Sequence, residues 1–222
     1  MAVNPARTPS TRRQRTPLTR DRILEAALRI ADTDGLDALT MRRLAQDLGV
    51  EAMSLYHHVD GKRDLLGGIA ELVVRQVELP PLEGTWKPAI RACAISAHAV
   101  LRQHPWAPNL LMSTDAIVPS RLRMIDAILK RLQDAHLPDE TLDLAYHALD
   151  SHILGFTLWE AGYTQGLRNL PEDGGLEAIT EQIGLAQYPH LLEHAQWHFQ
   201  GGRGAKPAFE FGLDLILDGI EG

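Results

Sequence analysis

Between residues 18 and 77 apolar side chains return every three or four positions, in four separate runs. No stretch alternates apolar and polar residues over a β-branched run. The first period belongs to helices, which bury a stripe; strands bury every second residue. The chain is therefore expected to be all-α. The first run opens at Thr19, suited to capping a helix, with Asp21 in its first turn. Ile23, Ala27, Ile30 and Ala31 share one face, with Leu24 and Leu28 beside it, and Gly35 ends the helix. Short helices are expected at 40–48 and 51–58, with Gly49 turning between them. A fourth, capped by Asp60, carries Leu65, Leu66, Ile69, Leu72, Val73 and Val77 until Pro80 and Pro81 stop it.

Residues 79–85 (LPPLEGT) read as a boundary or hinge. Three parts follow: a disordered basic arm at 1–17, a helical head at 18–78 and a body at 86–222. In the body, helices are expected at 86–103, 107–111, 119–135, 139–165, 189–199 and 207–219. Residues 167–185, with Pro171, Gly174, Gly175 and Gly184, read as a mobile loop or weak helix.

Charge divides along the same line. Residues 1–63 hold eleven Arg/Lys and eight Asp/Glu, a net of +3, and the remainder carries −10. Five arginines and no acid lie in residues 1–20. A basic end on an acidic body fits a protein that meets a polyanion with one end. Such an arm could enter a minor groove or remain a solvated tail. No apolar run is long enough to span a membrane, and no secretory signal is read. Cys93, the single cysteine, cannot form an internal disulfide. A cytoplasmic location is expected.

Ala45, Gly49 and Leu55 stand at intervals of four and six. In a helix-turn-helix a small residue lets two helices approach, a glycine takes the left-handed turn and a leucine anchors the second helix. Leu44, Leu48, Val50 and Val59 supply further apolar contacts. The face left over carries Thr40, Arg42, Ala52, Met53, Ser54, Tyr56, His58 and Lys62. Hydroxyls, cations, an aromatic and apolar tips are the chemistry that meets phosphates and major-groove edges. The same spacing also occurs in helical proteins that bind no DNA, and Tyr56 has a second reading as a core aromatic.

Residues 40–66, TMRRLAQDLGVEAMSLYHHVDGKRDLL, resemble the DNA-binding region of the tetracycline-repressor (TetR) family in the LGV turn, the L-Y-x-H-V run and the K-R-x-L-L start of the fourth helix. Segments 101–113 (LRQHPWAPNLLMS), 188–192 (YPHLL) and 209–221 (FEFGLDLILDGIE) resemble the C-terminal domain of its tetracycline-repressor-like subgroup. The resemblance implies an all-helical homodimer with a three-helix head, joined by a fourth helix to a ligand-binding body. It implies contacts to double-stranded operator DNA from Thr40, Met41, Arg42, Ala52, Met53, Ser54, Tyr56, His58 and Lys62. Tetracycline repressors carry Gln-Pro where this chain has Ala52 and Met53, so a different operator is expected. They hold their drug as a magnesium chelate, through a histidine and a carboxylate of the partner subunit. Glu160 stands at the carboxylate's position, but residues 110–116 contain no histidine, so neither tetracycline nor magnesium is carried over. No cofactor is expected.

For a small-molecule effector the expected pocket is Cys93, Ala97, Trp106, Met112, Met124, Ile128, His152, Phe156 and Trp159, mostly apolar with one polar group. The helices at 139–165 and 207–219 are the expected dimer surface. In the latter, Phe209, Phe211, Leu213, Leu215, Ile216, Leu217 and Ile220 lie nearly all round, which calls for burial on more than one side. The expected function is a repressor that binds a palindromic operator and is released by a small molecule. Two rivals remain: a DNA-binding dimer without an effector, and a metal protein. His190, His194 and His198 recur every four residues, though at about 1.5 Å per residue they span too far for one ion to take all three. Ser96 and His98 fall on different helix faces and form no nucleophile–base pair. An enzyme is not expected.

Overall fold

The computed structural model describes residues 17–81, 83–113, 118–168, 175–199 and 207–220. Among them the chain is all-α, with eleven α-helices and no strand. Residues 1–16 of the expected arm lie outside the described residues.

The head comprises α1 (Arg20–Asp34), α2 (Met41–Leu48), α3 (Ala52–Leu55) and the start of α4 (Lys62–Val74). Thr19 caps α1, its hydroxyl accepting from Arg22 N at 3.3 Å. Thr40 caps α2 in the same way, accepting from Arg43 N at 3.1 Å. Ile23, Ala27, Leu44, Leu55, Leu65 and Ile69 are fully buried where α1, α2, α3 and α4 meet. Two expectations change here. The third helix ends at Leu55, and residues 56–58 form a turn. The cap of α4 is Gly61, at φ 112°, rather than Asp60, whose N–H donates instead to Asp64 Oδ2 at 3.0 Å.

The body follows with α5 (Trp86–Gln103), α6 (Ala107–Met112), α7 (Pro119–Gln133), α8 (Asp139–Arg168), α9 (Leu176–Gln182), α10 (Pro189–Phe199) and α11 (Ala208–Gly219). α5 is central, packing on α4, α7, α8 and α11. Its inward stripe of Ile90, Cys93, Ala94, Ala97 and Leu101 is almost wholly buried. The small residues allow four helices to close on it. The segment expected as loop or weak helix contains α9, and α8 runs three residues past its expected end. Residues 169–174 of that segment lie outside the described residues.

Head and body share one connected apolar core through α4, whose Val73 and Val74 are buried beside residues of α5 and α6. Two polar joints add to it. Asp32 Oδ1 of α1 accepts from His104 Nδ1 at 2.8 Å and Trp106 Nε1 at 2.7 Å, both at the α5–α6 corner. Glu71 of α4 caps α7, accepting from Ser120 N at 2.8 Å and Ser120 Oγ at 2.7 Å, with Arg123 at 3.2 Å. These bonds hold the Glu71 carboxyl below the usual glutamate range against the opposing effect of burial.

Candidate nucleic-acid interface and the body behind it

Between α2 and α3 the chain turns through Gly49 at φ 65°, ψ 37°, a left-handed conformation that costs a side chain. The turn is closed by Val50 N donating to Ala45 O at 3.0 Å and Gly49 N to Gln46 O at 3.2 Å. Ala45 and Leu55 are buried, and Leu48 and Val50 pack partly against the same core. The three residues singled out by spacing therefore do the three expected jobs.

The predicted contact set divides by depth. Thr40, Arg42, Met53, Tyr56 and Lys62 are exposed, Met53 by 72%. Met41, Ala52, Ser54 and His58 are half-buried, and Met41 and Ala52 lean on the core. Tyr56 is 49% exposed at the end of α3, which removes its reading as a core aromatic. An exposed thioether, phenol, guanidinium and ammonium around one steep turn can meet a groove floor and its phosphates together.

Sequence reading missed what holds this surface in place. Arg20, the first residue of α1, clamps Asp64 of α4 with two bonds of 2.7 and 2.6 Å. Its Nη1 also donates to His58 O at 3.0 Å. The bonds to Arg20 hold the Asp64 carboxyl below the usual aspartate range. The partners lie 38 and 44 residues apart, so no periodicity could have linked them.

In the body the nine residues of the expected pocket separate into four groups. Cys93, Ala97, Met124 and Ile128 are packed core. Met112 and Trp159 are exposed, by 61% and 59%. His152 and Phe156 are half-buried against Phe209 of α11, where His152 Nε2 donates to Phe209 O at 2.9 Å. Trp106 points its indole N–H at the head. Two surface cavities, of about 520 and 630 Å³, are lined by other residues. One lies beside Arg91, Ile95 and Ser96, the other beside Arg20, Asp64 and Arg75.

Burial pushes the Cys93 thiol up to about 12. Little thiolate exists near neutrality, so Cys93 is expected to resist iodoacetamide at pH 8 until the protein unfolds. Mass spectrometry of native and urea-treated protein checks this. Rapid labelling of the native chain would mean that the α5 core opens readily.

His98 stacks on Phe209 at 3.8 Å and pairs with Glu160 Oε2 at 3.0 Å. Glu160 is also held by Arg102 at 3.1 Å, so the carboxylate at the metal-linked position already has partners within its own chain. Desolvation lowers the His98 pKa, opposed by Glu160 and assisted by Arg102 and His152. A lowered histidine binds fewer protons folded than unfolded. Its contribution is whole above the ordinary histidine range and is lost as pH falls through it. Urea midpoints should therefore fall between pH 7 and 5.5, less steeply for His98→Gln; equal slopes would exclude His98 as the cause. Ser96 serves elsewhere, accepting from Glu78 N at 2.9 Å.

Along α8 and α11 an outer apolar face remains, with Leu144, Trp159, Tyr163, Phe211 and Leu215 each at least 46% exposed. Inward-facing Phe209, Leu213 and Leu217 are buried. α11 thus fills its own core and presents a second apolar side. His190 and His194 are exposed, and the His198 side chain lies outside the described residues. No cluster of three metal-binding side chains occurs among the described residues, nor any helix long and apolar enough to cross a membrane.

Against this geometry stand the likenesses to known proteins. Residues 23–69 match the family profile of bacterial regulatory proteins, tetR family, and residues 79–222 match the tetracyclin repressor-like C-terminal domain. The chain is 33% identical over 215 residues to the HTH-type transcriptional repressor DrrR1 of Streptomyces coeruleorubidus, covering 92% of this chain and 77% of that protein. It is 38% identical over 213 residues to the class D tetracycline repressor protein of Escherichia coli, covering 92% and 89%. Among solved structures, the Streptomyces coelicolor TetR family protein ActR in complex with actinorhodin aligns with a TM-score of 0.71 at 27% identity, covering 92% and 96% of the two chains.

Proposed function

The chain belongs to the TetR family of bacterial regulatory proteins, and on that footing we propose that it is a ligand-responsive repressor. It binds a palindromic operator as a homodimer and is released by a small molecule. The observation that carries this reading is the left-handed Gly49 turn, with Leu55 anchored behind it and Arg42, Met53, Tyr56 and Lys62 exposed in front. Two such heads on a two-fold dimer set half-sites about one helical turn apart. Arg42 takes a guanine or a phosphate, with Thr40 and Met41 beside it. Ser54, Tyr56 and Lys62 grip phosphate with His58 at the edge, while Ala52 and Met53 meet apolar groups such as a thymine methyl. The apolar outer face of α8 and α11 is the dimer surface, a four-helix junction once two copies meet.

The head is the unit at 18–78 and the body the unit at 86–222, preceded by the basic arm. Effector binding belongs to the body beside α5, α7 and α8, with Met112, His152 and Phe156 as its wall and Trp159 where that wall meets the dimer surface. A ligand there releases DNA by favouring one spacing of the two heads over another. ActR, solved with actinorhodin, supports a small-molecule effector, and DrrR1, named a repressor, supports the sign of regulation. Catalysis is not part of the role, and the site of action is the cytoplasm.

The test is selection of a randomised duplex pool at about 150 mM salt, a stringency that strips contacts made only through charge. A palindrome is expected, with affinity reduced about 10- to 100-fold by Arg42→Ala or Tyr56→Ala. Retention of no consensus would sink the reading.

A further inference from the structure

We propose that Arg20 and Asp64 are a positioning pair for operator binding: without touching DNA, they fix the α3–α4 turn and the first turn of α4, which present His58 and Lys62. This rests on the reading head proposed above. Arg20 opens α1, which packs inside the head on α2 and α4 and is held by buried Ile23, Leu24 and Ala27. From that anchored position its guanidinium ties the start of α1 to the 58–64 segment. It engages both carboxylate oxygens of Asp64 at 2.7 and 2.6 Å and the carbonyl of His58 at 3.0 Å. Asp64 then accepts from Asp60 N at 3.0 Å. Four bonds thus bracket residues 58–64 from both ends. They do so where Gly61 supplies no side-chain cap to α4, so side-chain bonding at this helix start comes from Arg20 and Asp64. The planar fork supports this arrangement because both nitrogens are directed at once.

Charge alone gives the opposite expectation for Asp64. An acid beside a DNA-binding surface repels phosphate, so its neutralisation should tighten binding. A positioning role requires neutralisation to weaken it. The experiment is titration of wild-type, Asp64→Asn, Arg20→Ala, the double variant and the charge-exchanged Arg20→Asp/Asp64→Arg chain against the selected palindrome over a range of salt. Hydrogen exchange is followed on the free proteins.

Each single variant is expected to bind about tenfold more weakly. The double variant should be no weaker than either single, and the exchanged pair should recover part of the loss. The salt slope should stay as in wild type, and amides of residues 58–65 should exchange about tenfold faster while global melting barely moves. Binding by Asp64→Asn that equals or exceeds wild type overturns the proposal. So does a slope shallower by about two for Arg20→Ala, which would make Arg20 a phosphate contact in each subunit. If wild type selects no palindrome, the proposed function fails separately. Exchange still judges the clamp, since unchanged protection at 58–65 removes it.

Discussion

Asp32→Ala is expected to lower the unfolding free energy by about 2–6 kcal/mol. The reason lies less in the aspartate than in what it leaves behind. His104 and Trp106 are 8% and 7% exposed, and each directs a ring N–H at the same oxygen, Asp32 Oδ1. Remove the acceptor and two buried donors lose their bond at once, at about 1–3 kcal/mol each. Asp32→Asn keeps one oxygen in place and is expected to cost roughly half as much, the charge assistance being lost. Urea denaturation of the three proteins separates these cases. A loss below about 0.5 kcal/mol for Asp32→Ala would show that water satisfies both rings and that the joint is weak. The location adds a consequence. α1 packs chiefly on α2 and α4 inside the head, so this joint fastens the far end of α1 to the α5–α6 corner of the body. A body that shifts α6 must carry Asp32 with it or break two bonds.

Why was the reading head legible in the sequence while this joint was not? The head is built from local rules. Gly49 answers a backbone angle, Thr19 and Thr40 answer unpaired N–H groups, and Leu55 answers a packing interval. Each signal lies within a few residues of its cause. The Asp32–His104 and Arg20–Asp64 bonds join residues 72 and 44 positions apart. Nothing periodic marks them, and a lone aspartate near a helix end reads equally well as solvated surface. The nine expected pocket residues lie at different depths for a related reason. Apolar character identifies residues that leave water, without saying whether they close on one another or line a space. Cys93, Ala97, Met124 and Ile128 close on one another, while Met112 and Trp159 face outward. The helix at 207–219 was read better, because a helix apolar on nearly all sides needs two burial partners whatever they are. The structure supplies one of them, the body's own core against Phe209, Leu213 and Leu217.

The second large effect is expected at Leu55. α3 is four residues long, too short to persist by its own hydrogen bonds. Leu55 is its only buried side chain, with no exposed surface. Two more bonds follow from its carbonyl, which accepts from His58 N at 2.9 Å and Val59 N at 3.0 Å to close the next turn. Leu55→Ala removes most of the apolar side chain and leaves a cavity that the surrounding α1, α2 and α4 can only partly fill. Such truncations cost about 2–5 kcal/mol. The loss should fall unevenly. The body keeps its own core around α5, α8 and α11, whereas α3 loses the one group that docks it. Operator affinity is therefore expected to drop more than 100-fold in a chain that remains helical by circular dichroism. Leu55→Met, which roughly conserves volume, should lose far less. If Leu55→Ala held the operator within about threefold of wild type, α3 could not be the element that reads it. Met53, Ser54 and Tyr56 would then lose their proposed roles together, since all three depend on where that single leucine places the helix.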